Sequence, residues 1–254
     1  MNIAMTLINF GLTPAVLSAV GRDPEGDELV HVAANLGIIT EHLYRPDDLP
    51  TDSYIAIESA DGLIAAIADA LSLEKAGTKI LAPLTDGTLG SNNAPWSGLV
   101  ALDGNLTSDL LNDIARAPLF TNCDLRVAPA SPGKVKRLSA FFDHPSATLY
   151  VNLEEAGLLC KTTFDAAIDG AAALSKQGIH RVLVTDGGNL AAECLGGDIC
   201  IAQPPAVLVT RVTGAGDTFM AAHIASEVQG MTRKAALLRA VNAAATYVSG
   251  ETPS

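Results

Sequence analysis

The stretch between residues 99 and 130 reads LVALDGN (99–105), then SDLLNDIAR (108–116), then DLRVAPA (124–130), and it decides the fold class. The first and third pieces are short apolar runs typical of strands, whereas the second has the apolar spacing of a helix. A strand, a helix and a second strand in this order predict a βαβ unit, with parallel strands and a right-handed crossover. The sequence therefore indicates an α/β protein.

The same alternation continues toward the C-terminus and predicts a mostly parallel central sheet. Helical patterns and strand-like runs follow in turn: PGKVKRLSAFF (132–142), ATLYVN (147–152), LEEAGLLC (153–160), DAAIDGAAALSKQG (165–178) and HRVLVTDGG (180–188). Sheets of this kind are covered by helices on both faces, and ligands bind at the carboxyl ends of the strands. We therefore expect chemistry in the loops 103–105, 152–155 and 186–188.

Two other segments have patterns of their own. SYIAIESADGLIAAIAD (53–69) has two β-leaning runs around the turn signal Ala60-Asp61-Gly62, and it predicts an antiparallel hairpin. The hairpin is either an extra edge pair or a lid over a ligand cleft, and its residues leave both interpretations open. Near the C-terminus, AVLVT (206–210) predicts a strand, and 213–230 and 232–250 predict two alanine-rich helices buried against the sheet.

Composition and charge exclude several classes of protein. Of the 254 residues, 48% are hydrophobic and 17% are charged, which is too apolar a balance for a disordered chain. There are 16 basic and 28 acidic residues, and the formal net charge of −12 repels phosphate backbones. We therefore expect no nucleic-acid polymer as a partner. No linker interrupts the pattern, so residues 1–254 are predicted to form a single domain.

The N-terminus and the cysteines indicate where the protein works. The apolar N-terminal run has no Lys or Arg before Arg22, so it lacks the basic region of an export signal. No apolar run reaches the roughly 18 to 20 residues that a membrane helix needs. The cysteines form no CxxC pair and the histidines no HExxH-like spacing. We predict a cytoplasmic protein with no membrane partner and no structural metal.

The segment VTGAGDTF (212–219) carries the strongest chemical signal. Its small residues precede a predicted helix, where unpaired N–H groups and the helix dipole attract anions. Asp217 would stand at the edge of this anion cradle and could take a proton from a hydroxyl that attacks a bound γ-phosphate. The alternative is an ordinary helix start in which Asp217 is a capping acid.

VTGAGDTF resembles the C-terminal signature of the ribokinase-like (PfkB) carbohydrate and nucleoside kinases. Other matches occur in the same order along nearly the whole chain: SAVGRDPEG (18–26), the hairpin, LDGNL (102–106), NLEEA (152–156), VTDGG (184–188) and NAAATYVS (242–249). The resemblance implies a ribokinase-like three-layer α/β/α fold, with a small β-hairpin lid at about 52–69. Within the family, the hairpin, LDGNL and VTGAGD are most similar to pseudouridine kinases.

The resemblance also implies an activity, namely ATP-dependent phosphorylation of a ribosyl hydroxyl. Pseudouridine, converted to pseudouridine 5′-phosphate, is the favoured acceptor. Two alternatives stay open: another sugar or nucleoside kinase of this family, and a truncated, non-catalytic nucleotide-binding protein. The cofactors it implies are ATP and Mg²⁺, and the partner is a small-molecule nucleoside or sugar. A homodimer through the lid hairpin is a further possibility.

The family's functional positions can be carried over where the motifs match. Gly214, Ala215 and Gly216 match an anion hole for the transferred phosphoryl group, and Asp217 matches the catalytic base. The positions expected to contact ATP are Thr185, Asp186, Gly188, Thr213, Asn242 and Ala245. For Asp186 a turn, and for Asn242 and Ala245 core packing, are the alternatives.

The remaining assignments concern the metal and the phosphate acceptor. Asn152 and Glu155 match the pair that organises Mg²⁺ and its waters, the alternative for Glu155 being an ordinary first-turn helix acid. The positions expected to contact the acceptor are Asn2, Tyr54, Asp69, Asp103 and Asn105. Tyr54 and Ile67 would face the cleft if the hairpin is a lid, and Asp103 and Asn105 could instead cap the turn after a central strand.

The sequence departs from the family's pattern in two places. Relatives normally begin with a strand that carries a substrate-binding Asp and a loop with paired glycines, whereas this chain opens at Met1-Asn2-Ile3, within that region. We therefore expect a late start or an N-terminal truncation. Arg211 stands where many relatives have an Asp that helps to bind a monovalent cation, and its fixed charge could replace that ion.

Overall fold

The computed structural model describes residues 1–59 and 62–253. Its α-helices are α1 (Asn2–Asn9), α2 (Pro24–Asn35), α3 (Leu71–Ala76), α4 (Ser108–Arg116), α5 (Leu153–Cys160), α6 (Ala167–Lys176), α7 (Ala215–Val228) and α8 (Arg233–Val248). Its strands are β1 (Tyr54–Ser59), β2 (Gly62–Ala68), β3 (Leu99–Asp103), β4 (Asp124–Ala128), β5 (Thr148–Asn152), β6 (Arg181–Thr185), β7 (Ala191–Leu195) and β8 (Asp198–Ala202). Short 3-10 helices occupy Gly77–Leu84, Pro118–Phe120 and Pro132–Phe141.

The central sheet has six strands in the order β3-β4-β5-β6-β7-β8. β3 to β6 pair in parallel, whereas β7 and β8 continue the sheet in antiparallel fashion. The mostly parallel sheet is thus confirmed, and the β7–β8 pair was not foreseen. β1 and β2 form a separate antiparallel hairpin, as expected, although its turn residues Ala60 and Asp61 lie outside the described part of the chain.

Alternate side chains of the sheet pack into two hydrophobic cores on its opposite faces, which confirms the expected fold with helices on both sides of the sheet. Leu149 and Val151 of β5 belong to a core with α4 and α6, whereas Tyr150 between them belongs to a core with α1, α7 and α8. Burying apolar side chains on both faces is what the continuous apolar strands predicted. The two C-terminal helices pack against each other on one face of the sheet, as expected.

The structure corrects three sequence predictions. Residues 206–210 form no strand, and Leu208 in their middle is 82% exposed, because this segment does not join the sheet. PGKVKRLSAFF, expected to be helical, folds as a 3-10 helix (Pro132–Phe141) that begins at Pro132. The prediction that β3 is a central strand is wrong, because in the described residues β3 pairs only with β4 and lies at the edge of the sheet.

None of the helices in the described part of the chain is both long and apolar enough to span a lipid bilayer.

Candidate active site

α7 begins at the glycine-rich segment, and its first turn leaves backbone amides free. Gly214 is the N-cap in the left-handed region, with φ of 93°. The N–H of Ala215 donates to the Val212 carbonyl (3.1 Å) and that of Thr218 donates to the Gly214 carbonyl (2.9 Å). The intervening amides of Gly216 and Asp217 have no acceptor within the helix, since the first turn never provides one. A Cβ built on Gly216 would meet no atom within 4 Å, so open space lies beside these amides.

Asp217 and Asn2, which are 215 residues apart in sequence, meet at this end of α7. The Asn2 Nδ2 donates a hydrogen bond of 2.9 Å to Oδ2 of Asp217. α1 places Asn2 there, because α1 packs along α7. The predicted acceptor-binding residue and the predicted base are therefore in direct contact.

The Asp217 carboxyl group holds its proton more tightly than an ordinary aspartate. Burial raises its pKa, whereas the hydrogen bond from Asn2 and the positive charge of the N-terminal amino group lower it, and the nearby negative charge of Asp103 raises it. In the described residues no cation of Lys or Arg forms a salt bridge with this carboxylate. A carboxylate whose pKa is raised, next to open space, is suited to accept a proton from a bound hydroxyl.

Asp103 and Asn105 follow β3 in a tight turn. Asp103 accepts the Asn105 N–H at 2.7 Å, which is the turn-capping contact considered as the alternative. Asn105 in turn accepts a hydrogen bond of 2.6 Å from the Lys134 ammonium, and Arg137 donates to the carbonyls of this loop. Asp103 lies close enough to act on the pKa of Asp217, so this turn is beside the base.

Asn152 and Glu155 form a capping box at the start of α5. The Asn152 side chain accepts the Glu155 N–H at 2.8 Å, and Glu155 Oε2 accepts the Asn152 N–H at 2.9 Å. Glu155 is buried, and burial raises the pKa of its carboxyl group. This geometry supports the helix-acid alternative without excluding the metal assignment, because the capping contact uses one of the two carboxylate oxygens.

The donor set fits a magnesium ion that is held largely through its own waters. Oxygen ligands suit Mg²⁺, which gives up few of its waters and is commonly held by one or two carboxylates together with substrate phosphates. Glu155 supplies one free carboxylate oxygen and Asn152 its already bonded amide oxygen. In the described residues no group of three or more His, Cys, Asp and Glu could hold a metal directly.

The predicted nucleotide positions lie on two elements. Thr185 ends β6, and Asp186 accepts the Asn189 N–H on its backbone carbonyl (2.8 Å), as in the turn alternative. Gly188 accepts a hydrogen bond from Gln203 and is exposed. On α8, Asn242 is exposed, whereas Ala245 is only 6% exposed, as its core-packing alternative required.

In the described part of the chain, no hydrogen bond joins Tyr54 or Asp69 of the hairpin region to Asp217. Tyr54 and Ile67 are 56% and 67% exposed, so they are not core residues. Asp69 follows β2 and accepts the Leu71 N–H at 2.9 Å. Their roles toward an acceptor stay predictions.

Comparison with known proteins identifies the chain's relatives. The family model described as pfkB family carbohydrate kinase matches residues 1–253. The chain belongs to the PfkB family. PfkB kinases are phosphotransferases that act on a hydroxyl group, and this is the reaction class of the chain. Among curated protein sequences, no significant match is found.

Solved structures share the fold of this chain. A carbohydrate kinase from Agrobacterium tumefaciens is similar with a TM-score of 0.79 and 25% identity, over 99% of this chain and 80% of that one. An adenosine kinase from Schistosoma mansoni, solved with 2-fluoroadenosine, shares the fold (TM-score 0.80, 17% identity, 100% and 79% covered). So does an E. coli protein described as ribokinase II, solved with ATP and Mg²⁺ (TM-score 0.79, 17% identity, 99% and 82% covered).

Sequence reasoning missed Tyr247, which holds the PfkB glycine motif, and Lys134, which holds the Asn105 turn, and it singled out Arg211 only as a replacement for a cation. The Tyr247 hydroxyl donates to the Thr213 carbonyl at 2.9 Å, and Arg211 lies over the Tyr247 ring. Lys134 holds the Asn105 side chain. Nothing in the spacing of Tyr247 and Thr213 predicts their contact. Lys134 follows β4, where a search for polar residues at strand ends could have found it.

Proposed function

We propose that this PfkB kinase transfers the γ-phosphate of ATP to the 5′-hydroxyl of pseudouridine, giving pseudouridine 5′-phosphate. The observation that carries this proposal is the 2.9 Å hydrogen bond from Asn2 to Asp217. It joins the residue expected to bind the ribose to the residue expected to take the proton from its hydroxyl. A ribosyl hydroxyl held by Asn2 would therefore lie within reach of the base.

The chemistry assigned to Asp217 follows from its two oxygens. Oδ2 accepts the hydrogen bond from the Asn2 amide, and this leaves Oδ1 to accept one from the incoming hydroxyl. As the acceptor oxygen forms its bond to the γ-phosphorus, the bond from that phosphorus to the β,γ-bridging oxygen breaks, ADP leaves and the hydroxyl proton passes to Oδ1. The amides of Gly216 and Asp217 would stabilise the charge on the phosphoryl oxygens, which is where electrostatic catalysis acts.

Mg²⁺ and ATP belong to the proposal because the site offers groups for both. Glu155, supported by Asn152, would hold the ion through its waters, and the ion would neutralise charge on the triphosphate. Thr185, Asp186, Gly188 and Thr213 would contact the nucleotide from the carboxyl end of β6 and from the glycine segment. Exposed Asn242 could border the adenine, whereas the proposal assigns Ala245 to packing alone.

The choice of pseudouridine rests on the resemblance of the hairpin, LDGNL and VTGAGD to pseudouridine kinases. The structure adds one compatible feature, since Lys134 and Asn105 present an ammonium and an amide beside the Asp103 turn. Such donors suit the carbonyl oxygens of a nucleobase. Asp103, Asn105, Tyr54 and Asp69 are therefore proposed as acceptor contacts.

The proposal also covers the domain organisation, the oligomeric state and the location of the protein. Residues 1–254 would act as one kinase domain, with the β1–β2 hairpin as its lid. The exposed apolar side chains Tyr54, Ile55 and Ile67 on the hairpin would support a homodimer. A cytoplasmic location agrees with four cysteines that form no disulfide in the described residues.

The test is a turnover assay with Mg²⁺-ATP and a panel of pseudouridine, uridine, adenosine and ribose, with ADP release measured and the product identified by ³¹P NMR. We expect pseudouridine to give the highest kcat/KM. Preference for another panel member would replace the acceptor but keep the kinase assignment. ATP binding without turnover on any acceptor would contradict the catalytic assignment.

A further inference from the structure

The loop that enters α7 is tied to the end of α8. The backbone N–H groups of Thr210 and Arg211 both donate to the Val248 carbonyl, at 2.8 and 3.3 Å. Thr210 adds a side-chain hydrogen bond of 3.2 Å to the same carbonyl. The segment before the cradle is exposed, so these contacts with α8 are what hold it in place.

Arg211 strengthens this connection with its side chain. Its guanidinium carbon lies 3.8 Å from the centre of the Tyr247 ring. Nε donates to the Tyr247 carbonyl at 2.8 Å, and Nη2 donates to the Glu251 carbonyl at 3.1 Å. Carbonyls at the end of a helix lack helical partners and carry the negative end of its dipole, so a cation is favourable there. Arg211 thus fixes both the ring and the backbone of Tyr247.

Tyr247 connects the end of α8 to the cradle, the glycine-rich segment 212–219. Its hydroxyl donates to the Thr213 carbonyl at 2.9 Å. That carbonyl and the Gly214 N–H belong to one planar trans peptide, in which they point in opposite directions. Holding the carbonyl on Tyr247 therefore turns the Gly214 N–H away from α8. The Tyr247 hydroxyl also lies 2.6 Å from the point where a Gly214 Cβ would stand, so only glycine fits beneath it.

We propose that Arg211 and Tyr247 are positioning residues that orient the first peptide of the cradle toward the transferred phosphoryl group. This inference rests on the proposed function. Neither residue is assigned a contact with the reacting atoms. They act through the Thr213–Gly214 peptide, which their contacts hold in one orientation before ATP arrives. A preorganised donor contributes most in the transition state, because no energy is then needed to turn it.

The first experiment compares Tyr247→Phe with wild type. We expect kcat to fall about 10-fold, since a donor that stays but loses its orientation should cost less than the 10²- to 10³-fold loss of a whole donor. KM for ATP should change by less than about threefold, because ATP binding depends on contacts throughout the site and not on this one peptide. Tyr44→Phe is the control, as Tyr44 packs against the other core and lies under Lys79. The control should leave kcat unchanged.

The second experiment tests the arginine. Arg211→Gln loses the charge and the stacking, whereas Arg211→Lys keeps a cation near the end of α8, so the lysine variant should restore part of kcat. The control is Arg239→Gln, which removes another arginine of α8. The guanidinium carbon of Arg239 lies 4.9 Å from the centre of the Phe10 ring. Equal kcat values for Arg211→Lys, Arg211→Gln and wild type would overturn the role of Arg211.

A third measurement reads the cradle without turnover, so that the inference and the proposed function fail separately. ¹⁵N relaxation of the Gly214 amide should show increased motion in Tyr247→Phe, while the melting temperature stays within a few degrees of wild type. An unchanged Gly214 amide, or a kcat loss that merely follows a large loss of thermal stability, would overturn the inference. A wild-type protein with no kinase activity would contradict the proposed function, yet the Gly214 result would still decide the inference.

Discussion

The two ends of α7 carry carboxylates in opposite situations. Near its start, Asp217 receives a neutral amide from Asn2, and burial raises its pKa. Near its end, Glu227 meets Arg126 and Arg181, each at 2.5 Å. Burial alone would raise the pKa of Glu227, but the two arginines, together with His223, lower it to about 2. The same helix therefore holds one acid able to take a proton and one that stays ionised.

Glu227 belongs to a network of ion pairs near the end of α7. Arg181 also binds Glu193, a fully buried residue of β7, and Arg233 of α8 binds it too. His223, one turn before Glu227, is fully buried, and burial lowers its pKa to about 3, so it is neutral at physiological pH. This network joins α7, α8 and the sheet, whereas the Asp217 end of α7 has no such salt bridges in the described residues.

Asp217→Asn should have the largest effect on activity of any change at the substrate end. The amide keeps the size of the side chain but cannot take the hydroxyl proton, and loss of a general base costs about 10² to 10⁴-fold in kcat. Nucleotide titration in the same preparation should show nearly unchanged ATP affinity. Wild-type turnover would eliminate Asp217 as the base.

Glu227→Gln, at the other end of α7, should lower the stability of the protein and leave its activity nearly unchanged. Breaking a buried ion pair outright costs about 3 to 5 kcal/mol of unfolding free energy, and this is the upper bound here because Arg126 keeps Asp124 and Arg181 keeps Glu193. Urea denaturation measures this loss, and the activity of the remaining folded fraction should stay near normal. A variant with wild-type stability but lost turnover would contradict the division between the two ends.

Gly216→Val should weaken transfer more than folding. A Cβ at Gly216 meets no protein atom within 4 Å, so a larger side chain would fill the space where phosphoryl oxygens approach the amides. We expect kcat to fall about 10²-fold, as when an oxyanion donor is lost. Gly170→Val is the matched control, because its Cβ would press on Ala156 at 3.3 Å, and overpacking costs about 1 to 3 kcal/mol. Equal stability losses in both would indicate that Gly216 is a packing residue.

Glu155→Gln should raise the Mg²⁺ concentration for half-maximal rate about 10-fold, a typical cost of weakening a metal's supporting shell. A glutamine at this position of a capping box still accepts the N-cap amide, so α5 should remain folded. Glu154→Gln, one residue earlier in the same first turn, is the control. An unchanged magnesium dependence would remove Glu155 from the metal site.

The smallest effect concerns monovalent cations. The Arg211 guanidinium already occupies the carbonyls of Tyr247 and Glu251, so exchanging K⁺ for Na⁺ at constant ionic strength should change the rate less than about twofold. Arg211→Asp should lose activity and could gain a response to K⁺. Strong and specific K⁺ activation of the wild type would contradict the idea that the arginine replaces an ion.

The sequence predicted the paired strands and helices of this fold better than its connections. β3 to β6 were readable because buried parallel strands are continuous apolar runs. β7 and β8 were missed because Glu193, a charged residue inside AAECL, is buried only through its contacts with distant arginines. AVLVT reads as a strand by composition, yet within the described part of the chain no strand pairs with it.

The site was predictable only where motifs existed. The resemblance to the family assigned Asn2 and Asp217 separate roles, but their contact was not predicted, since nothing local links residues 215 apart. The contact between Tyr247 and Thr213 has no motif, because it depends on how α8 ends beside the glycine loop. Glu155 shows a further limit, as the same pattern predicts a capping box and a metal ligand.

The most direct test of the account is the pH dependence of kcat/KM, which reports the ionisation of the free enzyme. Asp217 must be deprotonated to act as a base, so activity should be lost as pH falls through a pKa above the usual aspartate value. Asn2→Ala removes a contact that lowers this pKa and should move the acid limb to higher pH. Asp103→Asn removes a charge that raises it and should move the limb to lower pH. Opposite shifts would support Asp217 as the proton acceptor, and an acid limb that neither variant moves would contradict it.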